Sequence, residues 1–303
     1  MHDIWMKPFW IAFFVSAALA WPTLLALRAL KVGSVISRYA PEAHQQKVGT
    51  PTMGGLFVVL AVIFALIATT GVSGESLTGL IYISGFAAIG LLDDLIIPRW
   101  TGKRGLGWIP KLVLQVIVVA VPALMHGVDA MSLAGAFWIL CCVNAVNFAD
   151  GLDGLAGSLL LIALVPFVVH FSSNSQPALV AVGAAVAGGV IPFLVINAPP
   201  AKLFMGDLGA LALGGAYGFL FASSPWDSQP WPWLVSLIFV LELVLVPLQI
   251  LAVKTIRRRI FPATPIHHAF EVRGWPESKV TWCFILAQAV LAAGALTLRS
   301  TWQ

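Results

Sequence analysis

The chain has 303 residues, 59% hydrophobic and only 10% charged, with a formal net charge of +4. Soluble domains carry about 25% charged residues, so disorder, a collagen-like chain, a disulfide scaffold and an ordinary cytosolic enzyme are all excluded. Long apolar runs recur along the whole sequence in place of short alternating strands, which leaves an all-α polytopic membrane protein, a single integral membrane domain over residues 1–303. The positive balance is then a matter of loops and topology, and no nucleic-acid partner is expected.

At about 20 residues per crossing, ten transmembrane helices are predicted, over roughly 8–27, 54–70, 78–97, 110–125, 131–147, 155–171, 177–196, 208–222, 233–254 and 280–298. The first contains Ala18-Leu19-Ala20, which resembles a signal-peptide cleavage site. Its apolar run continues to Leu27, so it is read as a span. Loops at about 28–53, 98–110, 148–154, 197–206 and 255–279 fall on one side. With their helix ends they hold 15 of the 17 Lys and Arg residues, leaving Lys7 and Arg299 for the other. By the positive-inside rule that rich side is cytoplasmic and both termini face outward. Trp226, Trp231 and Trp233 lie in the predicted outer loop and are read as interfacial anchors. Cys141, Cys142 and Cys283 sit in apolar runs and are read as small hydrophobes rather than a metal site or disulfide.

The acids supply the functional clue. Asp93, Asp94, Asp150, Asp153 and Asp207 all fall at predicted cytoplasmic ends of spans. Asp93 and Asp94 are expected to end the third helix, where the macrodipole is negative, so the adjacent pair calls for a compensating cation or protons. Asp150 and Asp153 are three apart and share a side if their segment is helical, with Gly151 and Gly154 permitting close backbone approach. Asp207 is expected to open the eighth helix, where an anion is favoured and where capping alone is also an adequate explanation. Lys47, Lys103, Arg104 and Lys111 adjoin these acids, suiting phosphate. Carboxylates beside phosphate-binding bases point to Mg²⁺. Two adjacent histidines, His267 and His268, stand in the last long loop, and Glu242 with Pro247 interrupts the ninth apolar run. Such a site suits phosphoryl transfer between a nucleotide and a lipid. A cation- or proton-coupled transporter is the alternative; it would distribute its acids through the membrane depth, and only Glu242 is clearly deep.

With these residues in view, the sequence resembles the phospho-N-acetylmuramoyl-pentapeptide transferases. The resemblance rests on Lys47-Val-Gly-Thr-Pro-Thr-Met-Gly-Gly55, Asp93-Asp94, the stretch from Asn144 to Ala156, Phe204-Met-Gly-Asp207-Leu-Gly, and Pro265-Ile-His-His268 with Phe270-Glu271. It implies an Mg²⁺-dependent sugar-1-phosphate transferase with ten helices, often a homodimer, in the bacterial inner membrane with its site on the cytoplasmic face. The implied partners are the bilayer, undecaprenyl phosphate and UDP-N-acetylmuramoyl-pentapeptide, the products lipid I and UMP. Relatives using UDP-N-acetylglucosamine share the aspartates but differ in the opening and histidine loops. Carried over by position, Asp207 is the metal ligand, Asp93 the candidate base for the lipid phosphate and Asp94 its neighbour. Lys47 and Lys111 assist with phosphate. Asn144, Asn147, Asp150, Asp153, Asn197, Phe204 and Gln249 shape the nucleotide and sugar pocket, His267 and His268 close it, and a ninth helix broken at Pro247 borders the lipid groove. Two positions depart from the family pattern: Ala269 replaces a third histidine and Ala210 a serine.

Overall fold

The structure, a computed structural model, describes residues 4–30, 33, 47, 49–102 and 105–301. Lys31, Arg38, Lys103 and Arg104 of the basic set lie outside the described residues. Among the described residues, ten helices of 16 residues or more follow one another: α1 Met6–Ala29, α2 Gly55–Thr70, α3 Gly74–Thr101, α4 Trp108–His126, α5 Ala130–Ala149, α6 Leu155–Ser173, α7 Pro177–Asn197, α8 Gly206–Ala222, α9 Leu237–Ile256 and α10 Glu277–Thr301. Short helices at Trp231–Val235 and Ile266–Val272 lie between them, and no strand occurs among the described residues. The all-α reading holds, and the helices fall on the ten predicted segments. Eight of them are long and apolar enough to cross a membrane; α2 and α8 have 16 and 17 residues. At 1.5 Å per residue these two measure about 24 and 26 Å, against about 30 Å of hydrocarbon.

Of the short pair, α8 lies inside the bundle, while α2 keeps one face, with Leu60, Phe64 and Ile67, at the surface. Every residue of α8 from Leu208 to Phe221 is buried, so this helix meets protein and not lipid. Glycine makes the packing possible. A Cβ on Gly55 or Gly209 would collide with the other's backbone where α2 crosses α8, and Gly214 and Gly218 lie against Val143 and Ile139 of α5. The outer helices instead expose apolar side chains such as Phe14, Phe64, Leu124 and Val290, a surface suited to lipid and not to water. α1 is continuous past Ala20 and is tied to α7 by Ser16 Oγ donating to the Gly189 carbonyl at 2.7 Å. A reciprocal Asp129–Ser132 capping box opens α5.

Three expectations are corrected. Asp93 and Asp94 do not end their helix. Residues Leu92–Ile96 form a π-helical turn within α3, which runs on to Thr101 and stops at Gly102 in the left-handed conformation. The ninth helix is not broken at Pro247 but passes through it. The interruption lies earlier, at Ser236, between Trp231–Val235 and α9. Trp231 is no interfacial anchor: it is fully buried, its ring 5.0 Å from Phe167, while Trp226 and Trp233 pack around Trp138. Aromatic packing between helices took precedence there over the pull of the membrane interface. No disulfide joins the cysteines; Cys142 is buried and Cys283 is exposed on the apolar surface.

Candidate active site

The π turn in α3 widens the helix by one residue, so two adjacent side chains can serve one site. Asp93, Asp94 and Asp207 accordingly offer carboxylate oxygens within 4.8 Å of one another, a set that could hold a metal ion. Lys111, in the first turn of α4, reaches into this cluster, pairing with Asp93 at 3.3 Å and closely with Asp207. Asn147 of α5 donates to the other Asp207 oxygen at 2.8 Å. Leu106 N–H donates to Asp93 at 2.5 Å, and a Cβ on Gly105 would crowd the same carboxylate.

The start of α8 is held by acids from two other elements. Asp94 accepts the Leu208 N–H at 3.0 Å, and the Gly206 amide lies near enough to Asp150 to favour its anion. Two carboxylates therefore cover first-turn amides that no intrahelical carbonyl can satisfy. Asp207, in the same turn, is left to face Lys111 and Asn147. Desolvation at the end of α5 raises the Asp150 carboxyl well above the usual range, and the charges of Asp207, Asp94 and Asp153 raise it further.

Asp150 and Asp153 do not share a helical side. Asp150 ends α5 with non-helical dihedrals, and the intervening turn sends Asp153 elsewhere. Asp153 is buried, pairs with Lys47 at 2.6 Å and accepts the Ala201 N–H at 2.8 Å. Lys47 also pairs with Glu277 at 2.6 Å and lies 5.8 Å from the centre of the Phe204 ring. Asn197 is likewise buried and bridges the Gly154 N–H and the Leu203 carbonyl. The Thr-Pro-Thr-Met-Gly-Gly stretch runs against Phe204 and Met205: Phe204 N–H donates to Pro51, Gly54 N–H to Phe204 and Gly55 N–H to Met205. That pairing brings Lys47 to the ring of Phe204.

The histidine loop is fastened from α9. Glu242 accepts the Ile266 N–H at 2.8 Å and lies 3.0 Å from His267 Nδ1. The deep acid of the ninth run is therefore a brace for this loop and not one step of a transmembrane pathway. Gln249 pins the same loop through Ile260 and Phe261. Burial pushes the His267 imidazole below its usual range despite Glu242, so the ring is neutral near pH 7 and its Nε2, without a protein partner, abuts Gly151. His268 is partly exposed and paired with Glu271 at 2.7 Å. Because any Cβ at 151 would strike the His267 ring, Gly151→Ala is expected to displace the histidine loop. It should raise KM for the donor more than it lowers kcat, with little loss of Tm; steady-state kinetics beside a thermal melt checks this.

The structure thus brings Asp93, Asp94, Asp207, Lys111 and Asn147 into one cluster with Asp150 at its edge. Asn144 sits three residues from Asn147 and pairs with Gln115 at 2.8 Å. Asp153, Asn197 and Gln249 are occupied in bracing loops. Gln115, fully buried, and Glu277 were not among the predicted site residues. The signal for Gln115 was a lone amide in an apolar run, a polar group that must find a partner inside the membrane. Ala210 is fully buried in the core and Ala269 is nearly so, which places both departures from the family pattern within packed protein.

Comparison with known proteins gives a consistent answer. The family model for glycosyl transferase family 4 matches residues 76–224, a stretch that contains Asp93, Asp94, Lys111, Asn147 and Asp207. A phospho-N-acetylmuramoyl-pentapeptide-transferase of Heliobacterium modesticaldum is 38% identical over 93% of this chain and 94% of its own length. Those of Moorella thermoacetica and Bacillus subtilis are 35% and 36% identical, over 97% and 93% of this chain and 98% and 94% of theirs. With identity at this level along nearly the whole sequence, the chain belongs to the phospho-N-acetylmuramoyl-pentapeptide-transferase family.

Proposed function

We propose that the carboxylate–lysine cluster transfers phospho-N-acetylmuramoyl-pentapeptide from its UDP-linked donor to undecaprenyl phosphate, forming lipid I and UMP. An oxygen of the lipid phosphate forms a bond to the phosphorus that bears the sugar. The bond from that phosphorus to the bridging oxygen breaks, and its electron pair leaves with UMP. The observation that carries this reading is the meeting of Asp93 and Asp94 of α3, Asp207 of α8 and Lys111 of α4 in one cluster.

The donor set is all carboxylate oxygen, which suits Mg²⁺, with Asp207 as principal ligand and Asp93 and Asp94 adjoining. When bound, Mg²⁺ neutralises charge on the diphosphate and the leaving UMP. Asp93 serves the lipid phosphate as base, and Lys111 offsets phosphate charge. Asn147 fixes the Asp207 carboxylate. Asn144, Asp150 and Phe204 border the nucleotide and sugar pocket, His267 and His268 close it, and Lys47, Asp153, Asn197 and Gln249 hold the loops that shape it. Incubating the purified protein with undecaprenyl phosphate and each UDP-sugar tests the choice of donor. UMP release that needs Mg²⁺ and UDP-N-acetylmuramoyl-pentapeptide is expected; release from UDP-N-acetylglucosamine alone would transfer the chain to that branch of the superfamily.

The same reading places ten crossings in the bacterial inner membrane, with both termini outside and the site cytoplasmic, supported by the 15-to-2 division of basic residues. A cysteine placed at Arg258 is expected to resist an impermeant thiol reagent in intact cells and to react after lysis. Labelling before lysis would invert the topology.

A further inference from the structure

α4 turns an apolar face away from the bundle, with Ile109, Leu112, Val113, Val116 and Ile117 all exposed. Apolar burial does little to hold such a helix in place, because acyl chains receive these side chains as well as protein does. One polar residue on it points the other way. Gln115 is fully buried, and its Oε1 accepts from Asn144 Nδ2 of α5 at 2.8 Å. Asn144 is fixed in turn, since the same amide donates to the Leu140 carbonyl of its own helix at 2.8 Å.

The pair lies one turn inward from the carboxylate cluster. Gln115 follows Lys111 by four residues and Asn144 precedes Asn147 by three, so each amide shares a helix face with a side chain that holds Asp207. Two rungs thus join α4 and α5: Gln115 to Asn144 directly, and Lys111 to Asn147 through the two oxygens of Asp207. The ends of the second rung are not equally secure. α5 and α8 meet where Gly214 and Gly218 leave no room for a Cβ against Val143 and Ile139, which fixes Asn147 relative to Asp207. Lys111 comes from the lipid-facing helix on a flexible stem, and its ammonium is only as well placed as the backbone beneath it.

We propose that Gln115 is a positioning residue for the transfer reaction: its amide pair with Asn144 sets the depth and rotation of α4 and so holds the Lys111 ammonium against Asp93 and Asp207. The proposal rests on the reading of this cluster as the site of phosphoryl transfer. Adhesion between α4 and α5 alone would be served by a polar pair at any depth. Here the pair stands one turn from the cation on one helix and one turn from Asn147 on the other.

The test is a double-variant cycle on the purified full chain, read by calorimetric Mg²⁺ titration, UMP release and thermal melt. Gln115→Met keeps the length of the side chain and removes the amide. Its Mg²⁺ affinity should rise about fivefold, as expected when a unit charge retreats by about 1 Å at a partly buried site. Its kcat should fall about tenfold, because the cation is no longer held in place for the phosphate. General damage to the fold would weaken both. In Lys111→Met the cation is already gone, so adding Gln115→Met should change Mg²⁺ affinity no further. Gln115→Asn keeps an amide in the bundle but falls a methylene short of Asn144; it should move both quantities in the same directions, and it decides the matter if the melt shows Gln115→Met not to fold. Additive effects in the double variant would overturn the proposal, as would an unchanged or weaker Mg²⁺ affinity in both single variants at Gln115. A raised KM for the donor with kcat and Mg²⁺ affinity unchanged would also overturn it, by making Gln115 a support for Asn144 in the donor pocket. A chain that bound Mg²⁺ but released no UMP would end the transferase reading, while the calorimetric cycle would still decide the place of Gln115.

Discussion

Asp207→Asn is expected to reduce turnover by about 10³-fold or more, the loss of several kcal/mol of metal-borne charge stabilisation. The substitution is isosteric. The amide oxygen can still accept from Asn147, and Asp94 and Asp150 continue to cap the first turn of α8, so the fold should survive with a near-normal melt. What disappears is the anion among three carboxylates that faces both Lys111 and Asn147. UMP release measured across a magnesium titration should show a requirement shifted to much higher concentration along with the lost rate. Near-normal turnover with an unchanged magnesium requirement would remove Asp207 from the metal site.

Lys111→Met should move binding and turnover in opposite directions. Among the described residues, Lys111 is the cation paired with Asp93 and Asp207, and its ammonium lies where a divalent ion would have to sit or pass. With it gone, the mutual repulsion of the carboxylates is relieved only by a metal, so the apparent affinity for Mg²⁺ should rise. Turnover should fall about 10²-fold, because the transferred phosphate loses a preorganised positive partner. Calorimetric Mg²⁺ titration of the variant, set beside its UMP release, decides this. A weaker Mg²⁺ affinity would make Lys111 a scaffold for the site and not a competitor for it.

Much of the fold and part of the site are legible in the sequence because a membrane imposes simple rules. A low-dielectric solvent forces long apolar helices, and topology sorts basic residues to one side, so the ten segments and the gathering of acids follow from the order of residues alone. Asp207 at the start of α8 follows from local pattern as well. The route each side chain takes from the backbone does not. Asp93 and Asp94 look like a helix end because the π turn has no residue signature among Leu92, Asp93, Asp94, Leu95 and Ile96. Asp150 and Asp153 part because one residue after Ala149 leaves the helical region. Glu242 looks like an isolated deep charge until the loop from 257 to 265 is seen to return along α9 and deliver His267 to it. Each of these depends on contacts between residues distant in sequence, which periodicity does not encode.

The π turn has a further consequence, for the tolerance of α3 to change in length. Gly90 must lie against the backbone of Leu208, since any Cβ there would strike it, while Gly102 fixes where the helix stops. Between these two points the extra residue of the wide turn is what puts Asp93 and Asp94 in one cluster. Deleting one residue there would restore an ordinary helical turn, leave the helix beyond it facing much as before, and remove the extra position by which two adjacent side chains reach one site. The chemical identity of every remaining side chain could be kept and the cluster would still be dismantled. Along this stretch the number of residues is as much a part of the active site as the aspartates themselves.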